Sequence, residues 1–214
     1  MSKILEIKLL SKTFNRKNIL SDISLKVYKG DIIGLEGENG SGKTTFFKII
    51  AGIMKPKSGS GLLLNQPIFN SNYKYRKHLI FWSHHPQFYS SLTGYENIKL
   101  FLNLRSESKQ IKMINSYAKR YSIESHINKE VREYSYGQIQ RLKLVLLSVS
   151  NWELALLDEP DSGMDSNGKL LLKKFILESK KNNKTFIISS HNHSWLNNFV
   201  DKKYLLTKTK LLEN

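Results

Sequence analysis

Between residues 4 and 60 the hydrophobic positions fall in short strand-like stretches broken by turns, starting with the alternation that opens at Ile4 and Leu5. A turn signal at Asn15-Arg16-Lys17-Asn18 predicts a hairpin between the first two of them. The apolar run Asp31-Ile32-Ile33-Gly34-Leu35-Glu36 reads as a buried strand, and Thr44 to Ala51 reads as a helix closed by Gly52. Near Pro86 the period changes. Glu96 to Leu102 and Gln110 to Tyr121 carry apolar residues at spacings of three and four, so helices are expected from about 86 to 150. Two short apolar runs follow, Leu154-Ala155-Leu156-Leu157 and Thr185-Phe186-Ile187-Ile188-Ser189-Ser190, with a helical segment from Gly168 to Lys181 between them. Strand, helix, strand in that order implies a parallel sheet. The expected fold class is therefore α/β: one domain over 1–214, with a core of about 1–85 and 151–214 and an inserted helical lobe of about 86–150.

The joint between the predicted strand Asp31 to Glu36 and the helix after it is Gly37-Glu38-Asn39-Gly40-Ser41-Gly42-Lys43-Thr44, a complete G-x-x-x-x-G-K-T phosphate loop in the strand–loop–helix setting the motif requires. Glycines let the backbone wrap closely around a polyphosphate, whose negative charge is met by amide N–H groups and the positive end of the helix dipole. Lys43 is the residue to reach the β- and γ-phosphates, and the Thr44 hydroxyl is the one to ligate Mg²⁺. The chain is expected to bind a nucleoside triphosphate. Leu154 to Pro160 ends a buried strand with two adjacent carboxylates, the arrangement of a Walker B segment. There Asp158 is the candidate for the Mg²⁺ shell, and Glu159 the candidate for orienting or deprotonating an attacking water. Ser135 with Gln138 three residues later has capping-box spacing ahead of an amphipathic segment, which leaves two readings: a well-capped helix only, or an anion-binding helix end.

Composition narrows the setting. The chain of 214 residues, 40% hydrophobic, is long enough for one sizeable core. It has no cysteine, which excludes disulfides, thiolate metal sites and cysteine nucleophiles, and fits a reducing compartment. The start shows neither an apolar signal core nor a transit-peptide composition, and no apolar run approaches the roughly 18 residues of a spanning helix. A cytoplasmic protein is expected, and any role at a membrane must come through a partner. The formal charge of +16 invites an anionic partner, but the lysines are scattered, as a solvated basic face would have them, so nucleic acid is not the expected ligand.

In motif order the whole chain resembles the ATP-binding subunit of an ATP-binding-cassette (ABC) transporter. The phosphate loop from Gly37 through Thr44 and Thr45 is its Walker A motif, Tyr134-Ser135-Tyr136-Gly137-Gln138 its signature, and Leu154 to Glu159 its Walker B. Ser162-Gly163-Met164-Asp165 matches the D-loop and His191 the switch histidine, while Phe14 stands where the family has the aromatic that stacks on adenine. The resemblance implies a phosphate-loop NTPase core with a parallel sheet, an N-terminal antiparallel β portion and an inserted helical lobe. It also implies ATP and Mg²⁺ as ligands and a dimer with a second ATP-binding subunit, identical or not. In that dimer ATP held by Gly37, Asn39, Gly40, Ser41, Gly42, Lys43 and Thr44 of one subunit meets the Ser135 and Gly137 end of the other, and Gln138 and Asp165 are further expected nucleotide-binding residues. A separate membrane subunit would be driven, in the direction of export by analogy with other short cassettes. A soluble cassette acting on nucleic acid or ribosomes, or a weakly hydrolysing regulatory subunit, are the alternative readings.

Two motifs depart from the family pattern. Tyr134 and Tyr136 replace the Leu and first Gly of the usual Leu-Ser-Gly-Gly-Gln signature, and a bulky residue at a glycine position is expected to crowd the partner's phosphate site. Counting back from Leu92-Thr93-Gly94-Tyr95-Glu96-Asn97, the family's Q-loop glutamine, a neighbour of the metal, falls on His84, with Gln87 three residues too late. A histidine there, with a proline two residues on, is similar to the ATPase of the heme-exporter group used in cytochrome c maturation.

Overall fold

The computed structural model describes residues 2–70, 73–83, 87–207 and 209–213. In chain order the strands are β1 (Lys3–Phe14), β2 (Lys17–Tyr28), β3 (Ile32–Glu36), β4 (Ser58–Leu63), β5 (Gln66–Pro67), β6 (Leu79–Trp82), β7 (Leu154–Asp158), β8 (Thr185–Ser189), β9 (Lys202–Thr207) and β10 (Lys210–Glu213). The α-helices are α1 (Lys43–Ile50), α2 (Gly94–Leu104), α3 (Ile114–Arg120), α4 (Tyr136–Val149), α5 (Ser166–Lys181) and α6 (His193–Asn197). They gather into two compact units, one of residues 1–83, 152–160 and 176–214, the other of 84–151 and 161–175.

The first unit holds two sheets. One is antiparallel, in the order β2-β1-β4-β5, and its first two strands form the hairpin expected at Asn15-Arg16. The other runs β10-β9-β3-β8-β7-β6, parallel throughout except for β10, which folds back antiparallel on β9. Strands β7 and β8 have every residue buried, which is why they read as continuous apolar runs and not as alternations. Phe46, Phe47, Ile49 and Ile50 form the buried face of α1 and share one core with both sheets. At ~1.5–3 kcal/mol for each such side chain fully removed from water, that shared core pins α1, and with it the loop before it, to the strand ends. Register then matters: Leu35 of β3 and Asp158 of β7 both lie opposite Ser189 of β8, so three neighbouring strands deliver their C-terminal ends to one edge of the sheet.

The second unit is helical. Helices α2 and α4 each start with a complete capping box, Thr93 with Glu96 and Ser135 with Gln138. The segment expected as one helix from Gln110 to Tyr121 divides: Ser108–Met113 is a 3-10 helix and α3 begins only at Ile114. No residue of the 3-10 stretch is buried and no side chain caps it, so nothing holds it to the wider α geometry. Among the described residues no helix is long and apolar enough to cross a membrane.

Candidate functional site

The loop from Gly37 to Gly42 leaves β3 and enters α1 through Gly42, whose φ of +107° lies in the left-handed region. A Cβ there would also stand 3.1 Å from both Ile19 and Leu20, so conformation and space each call for glycine. Unlike α2 and α4, helix α1 has no side-chain cap, and it has no acidic residue in its first turn to match Glu96 of α2. Its leading N–H groups therefore keep their positive end for an anion that is not part of the chain.

Lys43, itself buried, donates from Nζ to the carbonyls of Gly37 at 2.7 Å and Glu38 at 3.0 Å, so the loop is closed upon its own lysine. Burial pushes the Lys43 ammonium below the ordinary lysine value, while the carboxylates of Glu159 and Asp158 pull it back up. A cleft of about 250 Å³ opens on this loop, lined by Phe14, Ile19, Asn39, Gly40, Ser41, Gly42, Lys43, Thr44, Thr45 and Glu159. Phe14 is 42% exposed, not packed into the core as a phenylalanine at that position otherwise would be. The Lys12 ammonium sits 5.0 Å from the centre of its ring and is itself tied to the Lys55 carbonyl at 2.8 Å.

At the ends of β7 and β8 the acidic pair is held by the chain around it. Asp158, 1% exposed, accepts from Thr44 Oγ1 at 2.7 Å through one oxygen and from Ser189 Oγ at 2.7 Å through the other. Glu159 turns away from the strand at φ +50°, a left-handed conformation costly for a side-chain residue, and its N–H is shared by the carbonyl and hydroxyl of Ser189, both at 3.1 Å. That turn brings Glu159 Oε1 to 2.6 Å from His191 Nε2. A hydroxyl and a carboxylate in contact are hard oxygen donors of the kind Mg²⁺ takes, and Mg²⁺ fills the rest of its shell with water and phosphate. Among the described residues no group of three or more His, Asp or Glu could hold a metal without such help.

The remaining expected residues lie in the helical unit. Ser135 and Gln138 form the cap of α4: Ser135 N–H donates to Gln138 Oε1 at 2.8 Å, and Gln138 N–H to Ser135 Oγ at 3.3 Å. Gly137 lies in the first turn behind them. Asp165 is engaged by its own chain, accepting from Arg141 Nη2 at 3.1 and 3.2 Å and from Gly168 N–H at 2.7 Å, and this cap starts α5 at Ser166, two residues ahead of the expected Gly168. The ring of Tyr136 lies on Gly163: a Cβ built at Gly163, where φ is +67°, would stand 2.1 Å from Tyr136 Cδ1. Gln140, fully buried, donates to the Ser162 carbonyl at 3.1 Å, so the signature helix and the segment after Walker B are sewn together within the unit. His84 and Pro86, on which the likeness to the heme-exporter group rested, lie outside the described residues.

Sequence reasoning missed Ser189, which joins the two carboxylates, and the partners Gln140, Arg141 and His126 of the second unit. Ser189 stands near the end of an apolar run, next to Ser190, a weak signal that becomes a contact only through the β7–β8 register.

The family profile described as ABC transporter matches residues 20–162. An uncharacterized ABC transporter ATP-binding protein of Nostoc sp. is 35% identical over 197 residues, covering 90% of this chain and 58% of that protein. The bacitracin transport ATP-binding protein BcrA of Enterococcus faecalis is 32% identical over 225 residues, covering 100% of this chain and 69% of its own. The chain thus spans about six- to seven-tenths of the length of these relatives. Among solved structures, the ATP-binding subunit of an ABC transporter superposes with a TM-score of 0.91 at 24% identity, over 99% of this chain and 89% of its own. A dimeric post-hydrolysis cassette bound to ADP and Pi superposes with a TM-score of 0.86 at 23% identity, over 99% and 98%. Both likenesses are of fold.

Proposed function

This chain belongs to the ABC transporter family, and from that premise we propose that it is the ATP-binding and ATP-hydrolysing subunit of such a transporter, driving movement through a separate membrane protein. The observation that carries the reading is the 2.7 Å bond between Thr44 and Asp158, 114 residues apart in sequence, beside the 2.6 Å pair of Glu159 and His191. A phosphate loop alone would argue for nucleotide binding. A phosphate loop with a carboxylate at its metal-ligating threonine, and a second carboxylate oriented next to it, argues for hydrolysis.

In this reading Phe14 offers its free ring face to the base, the first-turn N–H groups of α1 take the phosphates, and Lys43 exchanges its loop carbonyls for phosphate oxygens. Thr44 and Asp158 would hold Mg²⁺, which when bound supplies charge neutralisation to the polyphosphate. Glu159, steadied by His191, accepts a proton from the attacking water as oxygen bonds to the γ-phosphorus. The bond to the bridging oxygen breaks and its electron pair leaves with ADP. A second ATP-binding subunit would complete the site with the Ser135 end of its α4, through the hydroxyl and the helix N-terminus. Closing of that pair would be passed to the membrane subunit, and export is the proposed direction.

The test is Glu159→Gln. The amide keeps the shape and loses the base, so ATP binding should persist while turnover falls by about 10²–10⁴-fold, the usual contribution of a general base. Nucleotide-binding titration and phosphate release on the same preparation read both quantities. Unchanged turnover removes Glu159 from the reaction, and loss of binding with turnover shows that the substitution has damaged the loop instead.

A further inference from the structure

The cap of α4 is buttressed from behind by a histidine that no motif contains. Gln138 Oε1 is committed to the Ser135 N–H at 2.8 Å, which fixes the orientation of the amide and turns its NH₂ toward His126 Nε2, 3.0 Å away. An amide NH₂ can only donate, so His126 Nε2 must accept, and the ring proton then belongs on Nδ1, where Ser125 Oγ lies at 2.9 Å. Tyr134, one of the two departures from the family's signature, holds the ring in place. It meets the imidazole edge to face, with ring centres 6.1 Å apart and planes at 80°, and its hydroxyl donates to the His126 carbonyl at 2.5 Å. Burial pushes the Tyr134 phenol up to about 12, so that hydroxyl keeps its proton at any working pH.

We propose that His126 is a positioning residue for the signature end of α4. By accepting the Gln138 amide it selects the one side-chain arrangement that closes the cap, and so fixes where Ser135 Oγ points when the phosphate of a neighbouring subunit arrives. The inference rests on the proposed reading of that helix end. It adds that in this chain the tyrosine at the family's leucine position and His126 work as one support, with Tyr134 holding the ring that holds Gln138.

The experiment compares His126→Phe and His126→Gln, each combined with Glu159→Gln so that ATP is bound and retained. Loss of one hydrogen bond should weaken ATP-dependent pairing of chains in analytical ultracentrifugation by roughly 3- to 10-fold in the phenylalanine variant. The glutamine variant, whose Oε1 can stand where Nε2 stood, should recover to within about twofold. ATP affinity of the single chain should not change in either, since the partners of His126 are Ser125, Tyr134 and Gln138. Equal pairing by phenylalanine variant and parent overturns the proposal, as does a glutamine variant as weak as the phenylalanine one. A parent that never pairs with ATP overturns the reading of the helix end instead. In that case ¹⁵N NMR of the His126 ring in the unmodified chain still decides: the Nδ1–H tautomer supports the support role, and the Nε2–H tautomer refutes it.

Discussion

Replacing Ser189 with alanine should cost this chain both stability and turnover, although Ser189 belongs to none of the motifs. Its hydroxyl is wholly buried, donates to Asp158 Oδ1 at 2.7 Å and accepts from Glu159 N–H at 3.1 Å. The second bond is backed up, because the same N–H also reaches the Ser189 carbonyl, so its loss adds little. The first is a hydrogen bond to a charged group at 1% exposure with no water to replace it, worth about 1.5–3 kcal/mol. Asp158 keeps Thr44 on its other oxygen, so the carboxylate is left half-satisfied and not stripped. We therefore expect a loss near 2 kcal/mol, which at a urea slope of about 2 kcal/mol/M moves the unfolding midpoint down by about 1 M. Freed on one side, Asp158 and the turn to Glu159 lose their register against the loop, and ATP turnover should drop by about tenfold, equivalent to ~1.4 kcal/mol. The control is Ser190→Ala, which removes a neutral bond from Asn192 N–H, worth about 0.5–1.5 kcal/mol, and leaves Asp158 its bond from Ser189. A Ser189→Ala chain within about 0.5 kcal/mol of the parent, with turnover within a factor of two, would refute the claim that Ser189 holds the acidic pair.

Gly163→Ala places a methyl group 2.1 Å from the Tyr136 ring and demands φ +67° of an alanine, so it should cost about 2–4 kcal/mol in the parent and only the ~1–2 kcal/mol of backbone strain in a Tyr136→Ala background. Urea titration of the four chains checks it, and additive costs would mean that Tyr136 does not rest on Gly163. For Glu96, the backbone N–H and then the hydroxyl of Thr93 hold its carboxyl below the ordinary glutamate value. A depressed acid adds stability that is present above the unfolded value of about 4.3 and is lost as pH falls through the folded value. Glu96→Gln should accordingly lower the urea midpoint at pH 7 and match the parent only in acid below the folded value; a gap of constant size would assign the effect to shape, not charge.

What could be read in advance follows from how each feature is encoded. The phosphate loop is contiguous, because one stretch of backbone does the binding, and the structure puts Asn39 to Thr45 around a single cleft. Strands β7 and β8 were legible because burial on both faces leaves unbroken apolar runs. Strands β9 and β10 were missed: Lys202-Lys203-Tyr204-Leu205-Leu206-Thr207 and Lys210-Leu211-Leu212-Glu213 have neither clean alternation nor a wholly apolar run, and they become strands by pairing with β3 and with each other. The pairing of Thr44 with Asp158 could be expected only through motif order, since no local signal spans 114 residues. Ser189 and His126 escaped because a single serine or histidine carries no periodicity. Tyr136 was read as an obstacle to a neighbouring subunit, and its ring rests on Gly163 of its own chain, a contact that only folding creates.

The serine at the head of α4 has two chemically different ends. Its lone pair is spent on the Gln138 N–H, while its proton is not needed by the cap at all. One hydroxyl can thus finish the helix from its oxygen side and still offer a hydrogen to an incoming anion, with no competition between the two tasks. An aspartate would terminate the helix as well or better, but it has no hydrogen to offer and carries the charge a phosphate most avoids. The residue that best suits the helix and the residue that best suits the proposed ligand are different, and serine is where the two demands meet.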